Sequence, residues 1–408
     1  MPYYEARETQ AAEVREAALL ARLPAQIAHA KTHAPAYAAL LADVDPAAIT
    51  TRAALAQLPV TRKSALVYHQ KAQRPFGGFA AAVWGAHMPR VFASPGPLYE
   101  PEGAQADYYR LARALYAAGF RQGDLVHNTF SYHFTPAGSM METAAHALGC
   151  TVFAAGVGQT EQQVAAMVDL QPQAYAGTPS FLRILLEKAQ ALDLPVSFTK
   201  AFVSGEAFTP SQCTALAERG ITAYQGYATA DVGLIAYETT AREGLVVDED
   251  IVLEIVRPGT GEPVAAGEVG EVVVTTFNPT YPLIRFGTGD LSALLPGVSP
   301  CGRTNLRIRG WMGRADQTTK VRGMFVYPEH IAQVIKRHPE IHQARLVVTG
   351  GQGEDHLTLH MVCGQGVQTD HAAVAASLRE LTKLRIDVQV VTELPNDGKV
   401  IEDSRRYD

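Results

Sequence analysis

Between residues 104 and 200 the chain alternates helical and strand-like patterns with a regularity that leaves few folds open. Helical spacing at about 107–118, 138–148 and 161–170 is each time followed by a short apolar run, at 125–130, 151–154 and 174–176. Strands separated by whole helices pair through crossovers rather than tight turns, so they build a largely parallel sheet inside an α/β domain. In such a sheet ligands sit beyond the carboxyl ends of the strands. Two polar, Gly- and Pro-containing segments fall at those ends: Ser131-Tyr132-His133-Phe134-Thr135-Pro136 and Gly177-Thr178-Pro179-Ser180. Taken alone, His133 among aromatic residues reads as a packed side chain, and the Gly177–Ser180 run reads as a helix N-cap.

With 408 residues the chain can bury a large core and divides into at least two domains. A net charge of −6 and no Lys/Arg-rich tract argue against a nucleic-acid binder. No apolar run reaches the ~18 residues of a membrane span, and MPYYEARETQ does not read as a secretory leader. Cys150, Cys213, Cys301 and Cys363 lie far apart without a C-x-x-C pair. That argues against a disulfide framework or a zinc site and for a reducing compartment, so a cytoplasmic location is expected.

The remaining segments outline the architecture. Residues 7–42 are Ala-rich with helical spacing broken at Pro24 and Pro35, an entry segment that packs on the body. Alternating strands at 252–256 and 271–275 suggest a small antiparallel, barrel-like part. Past residue 313 the order is a helix (329–337), strands (344–349 and 356–362), a helix (371–382) and a strand (386–392), a compact α+β unit. The expectation is a large, multi-part α/β N-terminal domain, 1–313, and a small C-terminal domain, 314–408.

The stretch 281–328 carries most of the chemistry. Arg285-Phe286-Gly287-Thr288-Gly289-Asp290 places a carboxylate after glycines, where backbone can approach a ligand closely. Gly313-Arg314-Ala315-Asp316 sets a guanidinium and a carboxylate in one short turn, and Lys320-Val321-Arg322-Gly323 opens another before a helix start at Pro328. Any one of these alone is an ordinary surface turn. In this order and spacing they resemble the phenylacetate–CoA ligase branch of the acyl-adenylate-forming enzymes, in which PLIR(Y/F)xTGDL, a GRxD hinge and a (K/R)-V-R-G turn follow one another. The resemblance spans nearly the whole chain and is strongest from residue 200 onward.

The resemblance implies an AMP-forming acid–CoA ligase acting on an aryl or arylacetic acid, with ATP, Mg2+ and coenzyme A. It places the nucleotide against Ser204, Gly205, Glu206, Tyr227, Asp290 and Arg314, and the metal on Asp231. Tyr132, His133, Phe134 and Gly177 would line the acid pocket. It makes Lys399 the catalytic lysine of the tail, Asp316 the hinge, and Lys320, Arg322 and Gly323 the turn that admits the thiol. A homodimer is left open as the assembly. Two positions depart from the family pattern. The phosphate loop, Ala93-Ser94-Pro95-Gly96-Pro97, has no lysine, and its two prolines lack N–H donors, which leaves Ser94, Gly96 and the N–H of Leu98 for the phosphates. In Tyr227-Ala228-Thr229-Ala230-Asp231, Ala230 stands for a threonine and Asp231 for a glutamate. These departures keep two rival readings open: an adenylate-former with a non-CoA acceptor, and a non-catalytic acid or nucleotide binder.

Overall fold

The computed structural model describes residues 2–94, 98–312, 314–315, 319–322, 324–326, 328–351, 354–364, 369–395 and 400–405. The chain falls into two compact units, Met1–Gly313 and Arg314–Asp408.

The first unit is organised by a nine-stranded sheet. Its order is Leu294–Leu295, Arg307–Ile308, Leu245–Val247, Gly233–Tyr237, Thr222–Thr229, Lys200–Val203, Ala174–Gly177, Leu125–Asn128 and Thr151–Ala154. The last five run parallel, and the rest pair antiparallel beyond Thr222–Thr229. Helices cover both faces of the parallel part, as a sheet built through helical crossovers requires. Ala112–Ala117 and Ala137–Ala147 pack on one face around Leu115, Met141 and Phe202. Thr160–Leu170, Pro179–Ala191 and Pro210–Glu218 pack on the other around Met167, Leu185 and Val203.

Prolines set the boundaries of the entry segment rather than breaking it at random. Pro24 lies in the first turn of Leu23–His33 and Pro35 in that of Pro35–Leu40, where a missing N–H costs nothing. One helix is shorter than its spacing suggests. It begins at Ala112 instead of about 107, because the Asp107 carboxylate takes the N–H groups of Leu111 and Ala112 while Asp107 and Arg110 adopt φ of +49° and +64°.

The part expected to be barrel-like is an open four-stranded sheet, Thr61–Arg62, Phe286–Ser292, Gly270–Thr276 and Ile251–Val256, whose edge strands do not pair with each other among the described residues. Its outer strand, Thr61–Arg62, joins in parallel to Phe286–Gly287 from more than 200 residues away. A hairpin, Arg90–Ser94 with Leu98–Glu102, flanks this region. The second unit holds the four-stranded sheet Asp387–Val390, Glu354–Cys363, Ile341–Gly351, Ile401–Asp403 and the helices Pro328–Arg337 and His371–Thr382. Its own core includes Ile331, Val334, Leu346, Leu359 and Leu378. No helix among the described residues is long and apolar enough to cross a membrane.

Candidate functional site

Three neighbouring parallel strands end side by side and deliver Gly177, Ser204 and Gly226–Tyr227 to one edge of the sheet. Gly177 is required there: a Cβ would lie 2.0 Å from Thr129 Oγ1 and 2.2 Å from the Tyr175 hydroxyl. Ser204 is buried, its N–H donates to Gly177 O at 3.2 Å, and its hydroxyl donates to Gly226 O at 2.8 Å. Gly205 follows with φ of +83° and is exposed, as is Glu206, which accepts from the Ser180 N–H. A turn exposed at a sheet's carboxyl edge is where backbone can meet a flat ligand.

Tyr227 links this edge to the four-stranded sheet. Its hydroxyl donates to Asp290 Oδ2 at 2.8 Å, and the indole N–H of Trp311 donates to Oδ1 at 3.1 Å. Thr288 helps shape the carboxylate's seat, since its Oγ1 accepts the Asp290 N–H at 3.1 Å. Asp290 is only 6% exposed, so its two oxygens are held in fixed directions. A carboxylate accepts at about four sites, and these two contacts are compatible with a vicinal diol as well.

A second acidic group lies behind the hairpin. Asp231, 4% exposed, forms an ion pair with Lys63 through Oδ2, while Oδ1 is buried without a partner. Glu100, 1% exposed, accepts from the Ser94 hydroxyl through Oε1, and its Oε2 also lacks a partner. Burial, and after it the negative Asp231, push the Glu100 carboxyl up to about 8. Nearby, the Tyr281 hydroxyl is buried without a partner and is pushed well above its ordinary range, first by burial and then by Asp231 and Glu100. Among the described residues no group of three or more His, Cys, Asp or Glu could hold a metal, so a cation here would rest on Asp231 with few protein ligands.

The other expected positions are less gathered. Tyr132 is half-buried, with its hydroxyl accepting from Asn128 Nδ2 at 2.8 Å, whereas His133 and Phe134 are exposed, Phe134 at 81%. Ser94 spends its hydroxyl on Glu100. In the second unit, Arg314 is half-buried, Lys320 lies in the strand Thr319–Val321, and Arg322 donates to Asp355 O at 2.8 Å. Gly96, Asp316, Gly323 and Lys399 lie outside the described residues. The sequence reading passed over Glu100, Lys63, Tyr281 and Trp311. For Glu100 the available signal is an acid in a strand-like run between Leu98 and Pro101; for Trp311 it is an aromatic residue that follows Gly310, two positions before Gly313-Arg314-Ala315-Asp316.

Comparison with known proteins gives this geometry its context. Residues 103–279 match the family described as AMP-binding enzyme. A phenylacetate–coenzyme A ligase of Thermus thermophilus is 32% identical over 359 residues, which cover 84% of this chain and 79% of that protein. One from Pseudomonas putida is 29% identical over 414 residues, covering 96% and 92%. Among solved structures, 2-hydroxyisobutyryl-CoA ligase in complex with 2-HIB-AMP and CoA superposes with a TM-score of 0.84 at 25% identity, covering 100% of this chain and 93% of that one.

Proposed function

The chain belongs to the phenylacetate–coenzyme A ligase family of AMP-binding enzymes, and from that premise we propose that it joins an aryl or arylacetic acid to coenzyme A in two steps through an acyl-adenylate. The observation that carries the proposal is the Tyr227–Asp290–Trp311 constellation, a rigidly held carboxylate joined through Tyr227 to the sheet edge that carries the exposed Gly205–Glu206 turn.

A carboxylic acid is a poor electrophile until one oxygen becomes a leaving group. Attack of the acid on the ATP α-phosphate makes the mixed anhydride and releases pyrophosphate, a step governed by positioning and charge neutralisation. Asp290 accepts from the ribose hydroxyls, Tyr227 and the backbone at 204–206 support the adenine, and Arg314 adds a permanent positive charge toward ribose or phosphate. Asp231, with one buried oxygen lacking a partner, fits a hard cation. Mg2+ bound there would neutralise phosphate charge. Lys399 bridges the acid and the α-phosphate in adenylation. The small unit then turns about Asp316, and the Lys320–Gly323 turn admits the pantetheine thiol to the acyl carbonyl. Glycine at 323 leaves room for that thiol beside the backbone. Gly177 and Tyr132 contribute to the acid pocket; next to Gly177 the Thr129 hydroxyl donates to the Tyr175 hydroxyl at 2.8 Å.

The prolines at 95 and 97 favour a second reading, a protein that binds nucleotide without turnover. Pyrophosphate exchange separates the two. The wild type exchanges pyrophosphate into ATP only when an acid is present, whereas a mere binder does not exchange at all. Lys399→Ala slows this exchange by about 10²–10³-fold, as expected for a lost transition-state charge contact. It retains thioester formation from supplied acyl-adenylate, because the lysine acts before the thiol arrives. Exchange in Lys399→Ala at near the wild-type rate would remove the assigned role.

A further inference from the structure

Glu100 and Asp231 approach within hydrogen-bonding reach of each other, each nine-tenths or more buried. The oxygens without partners are Glu100 Oε2 and Asp231 Oδ1. Two carboxylate oxygens do not stay in contact bare; something positive stands between them, either a shared proton or a cation. Lys63 pairs with the other Asp231 oxygen and offsets one of the two charges. Tyr281 favours the cation. Its hydroxyl, 1% exposed and without a partner, lies in the field of both acids. One proton shared by the two carboxyls satisfies them and leaves that hydroxyl orphaned, at a cost of about 1–3 kcal/mol. A cation with its waters offers contacts to all three oxygens.

The donor set is oxygen only, with two carboxylates on structured elements: Glu100 in the strand Leu98–Glu102, and Asp231 in the turn between Thr222–Thr229 and Gly233–Tyr237. Hard divalent cations of the Mg2+ and Mn2+ kind take such a set, typically one or two carboxylates completed by water and substrate phosphate. We propose that Glu100 is a second protein ligand which, together with Asp231, holds a divalent cation on the protein before nucleotide arrives. This rests on the reading of Asp231 as the metal-binding acid of an ATP-using ligase.

The inference also accounts for the altered phosphate loop. The sequence there supplies no lysine, and its prolines withhold two N–H donors. A cation fixed by two carboxylates supplies positive charge beside the same hairpin. The triphosphate then docks on the metal where it has lost contacts to the loop.

The test uses Mn2+ as probe, with the free ion read by electron paramagnetic resonance in titrations of the intact, nucleotide-free protein. The wild type takes up one Mn2+ per chain, and ATP tightens it. Glu100→Gln, nearly isosteric, weakens uptake by at least about tenfold, the loss expected even when only an outer partner of a ligand is removed. Lys63→Met removes the competing charge from Asp231 and tightens uptake, which keeps the proposal testable if Glu100→Gln does not fold. No Mn2+ uptake without nucleotide, equal uptake by Glu100→Gln, or weaker uptake by Lys63→Met would each overturn it. Acid-dependent pyrophosphate exchange is measured on the same wild-type preparation. Glu100-dependent Mn2+ uptake without exchange leaves the cation site standing and removes the ligase reading; exchange without such uptake does the reverse.

Discussion

Arg285 and Glu100 are both buried charged residues in the same unit, and their surroundings could hardly differ more. Every N–H of the Arg285 guanidinium is used. Nε and Nη2 donate to the two oxygens of Glu254 at 3.0 Å each, Nη2 also donates to Gly261 O at 2.7 Å, and Nη1 donates to Ala56 O at 2.8 Å and Leu58 O at 2.5 Å. The result ties three segments distant in sequence. Around Glu100, by contrast, two carboxylates face each other and three buried oxygens have no partner. A charge whose hydrogen bonds are complete holds a fold together. A charge left incomplete in the interior costs stability and persists where a ligand completes it. The two ends of Arg285-Phe286-Gly287-Thr288-Gly289-Asp290 differ in the same sense: Arg285 ties structural segments together, and Asp290 is the acid proposed above to take the ribose.

The largest expected effect falls on the satisfied node. Glu254→Gln leaves Arg285 buried with an uncompensated charge and lowers unfolding free energy by about 3–5 kcal/mol, read by denaturant melts, while the ATP affinity of the folded fraction stays as in the wild type. A loss below 1 kcal/mol would mean that Arg285 is not the clamp described.

Asp290→Ala comes next. Ribose loses a charged acceptor for two hydroxyls, at about 1.5–3 kcal/mol per bond, so calorimetry should show ATP affinity down by about 10²-fold or more. Unchanged affinity would show that the nucleotide lies elsewhere.

Asp250 is a third paired acid, bonded to Arg7 at 2.9 Å and Arg22 at 2.8 Å, with Arg113 at 3.3 Å. Burial alone would raise its carboxyl, but the Arg7 hydrogen bond and the Arg113 and Arg7 charges hold it well below the usual carboxylate range. A depressed acid contributes stability in full above its unfolded value, near 3.9, and loses it as pH falls toward the folded value. Asp250→Asn should therefore cost about 2 kcal/mol at pH 7, and the gap from wild type should close below about pH 4. A gap that persists at low pH would place the effect in packing rather than charge.

The smallest effect is expected at Glu100. With divalent ions chelated, Glu100→Gln should leave stability near neutral pH unchanged to within about 1 kcal/mol, because a neutral amide replaces a carboxyl that burial and Asp231 already hold protonated, and no ion pair is broken. A loss comparable to that of Glu254→Gln would erase the distinction between the two nodes.

Much of this was legible because local patterns and tertiary structure agree. The helices and strands from 125 to 229 follow their apolar spacing, and the Asp290 motif stands out because glycines and an acid recur in a fixed order. What the sequence hid depends on contacts across distance. Asp107 shortens a helix by capturing two N–H groups, which its spacing cannot reveal. Thr61–Arg62 joins a sheet whose other strands begin near residue 251, so a local reading of 245–277 suggests a barrel where an open sheet forms. Glu100 and Lys63 look like surface charges until the hairpin and the helix Lys63–Ala72 bring them to Asp231.

The most direct measurement is a product balance. The protein is incubated with ATP, Mg2+, coenzyme A and a panel of carboxylic acids that includes phenylacetate, and AMP, pyrophosphate and thioester are quantified together. The account predicts all three in equal amounts, dependent on an aromatic acid and lost in Asp290→Ala. ADP and phosphate as products, or nucleotide that binds and is recovered intact with every acid, would contradict it.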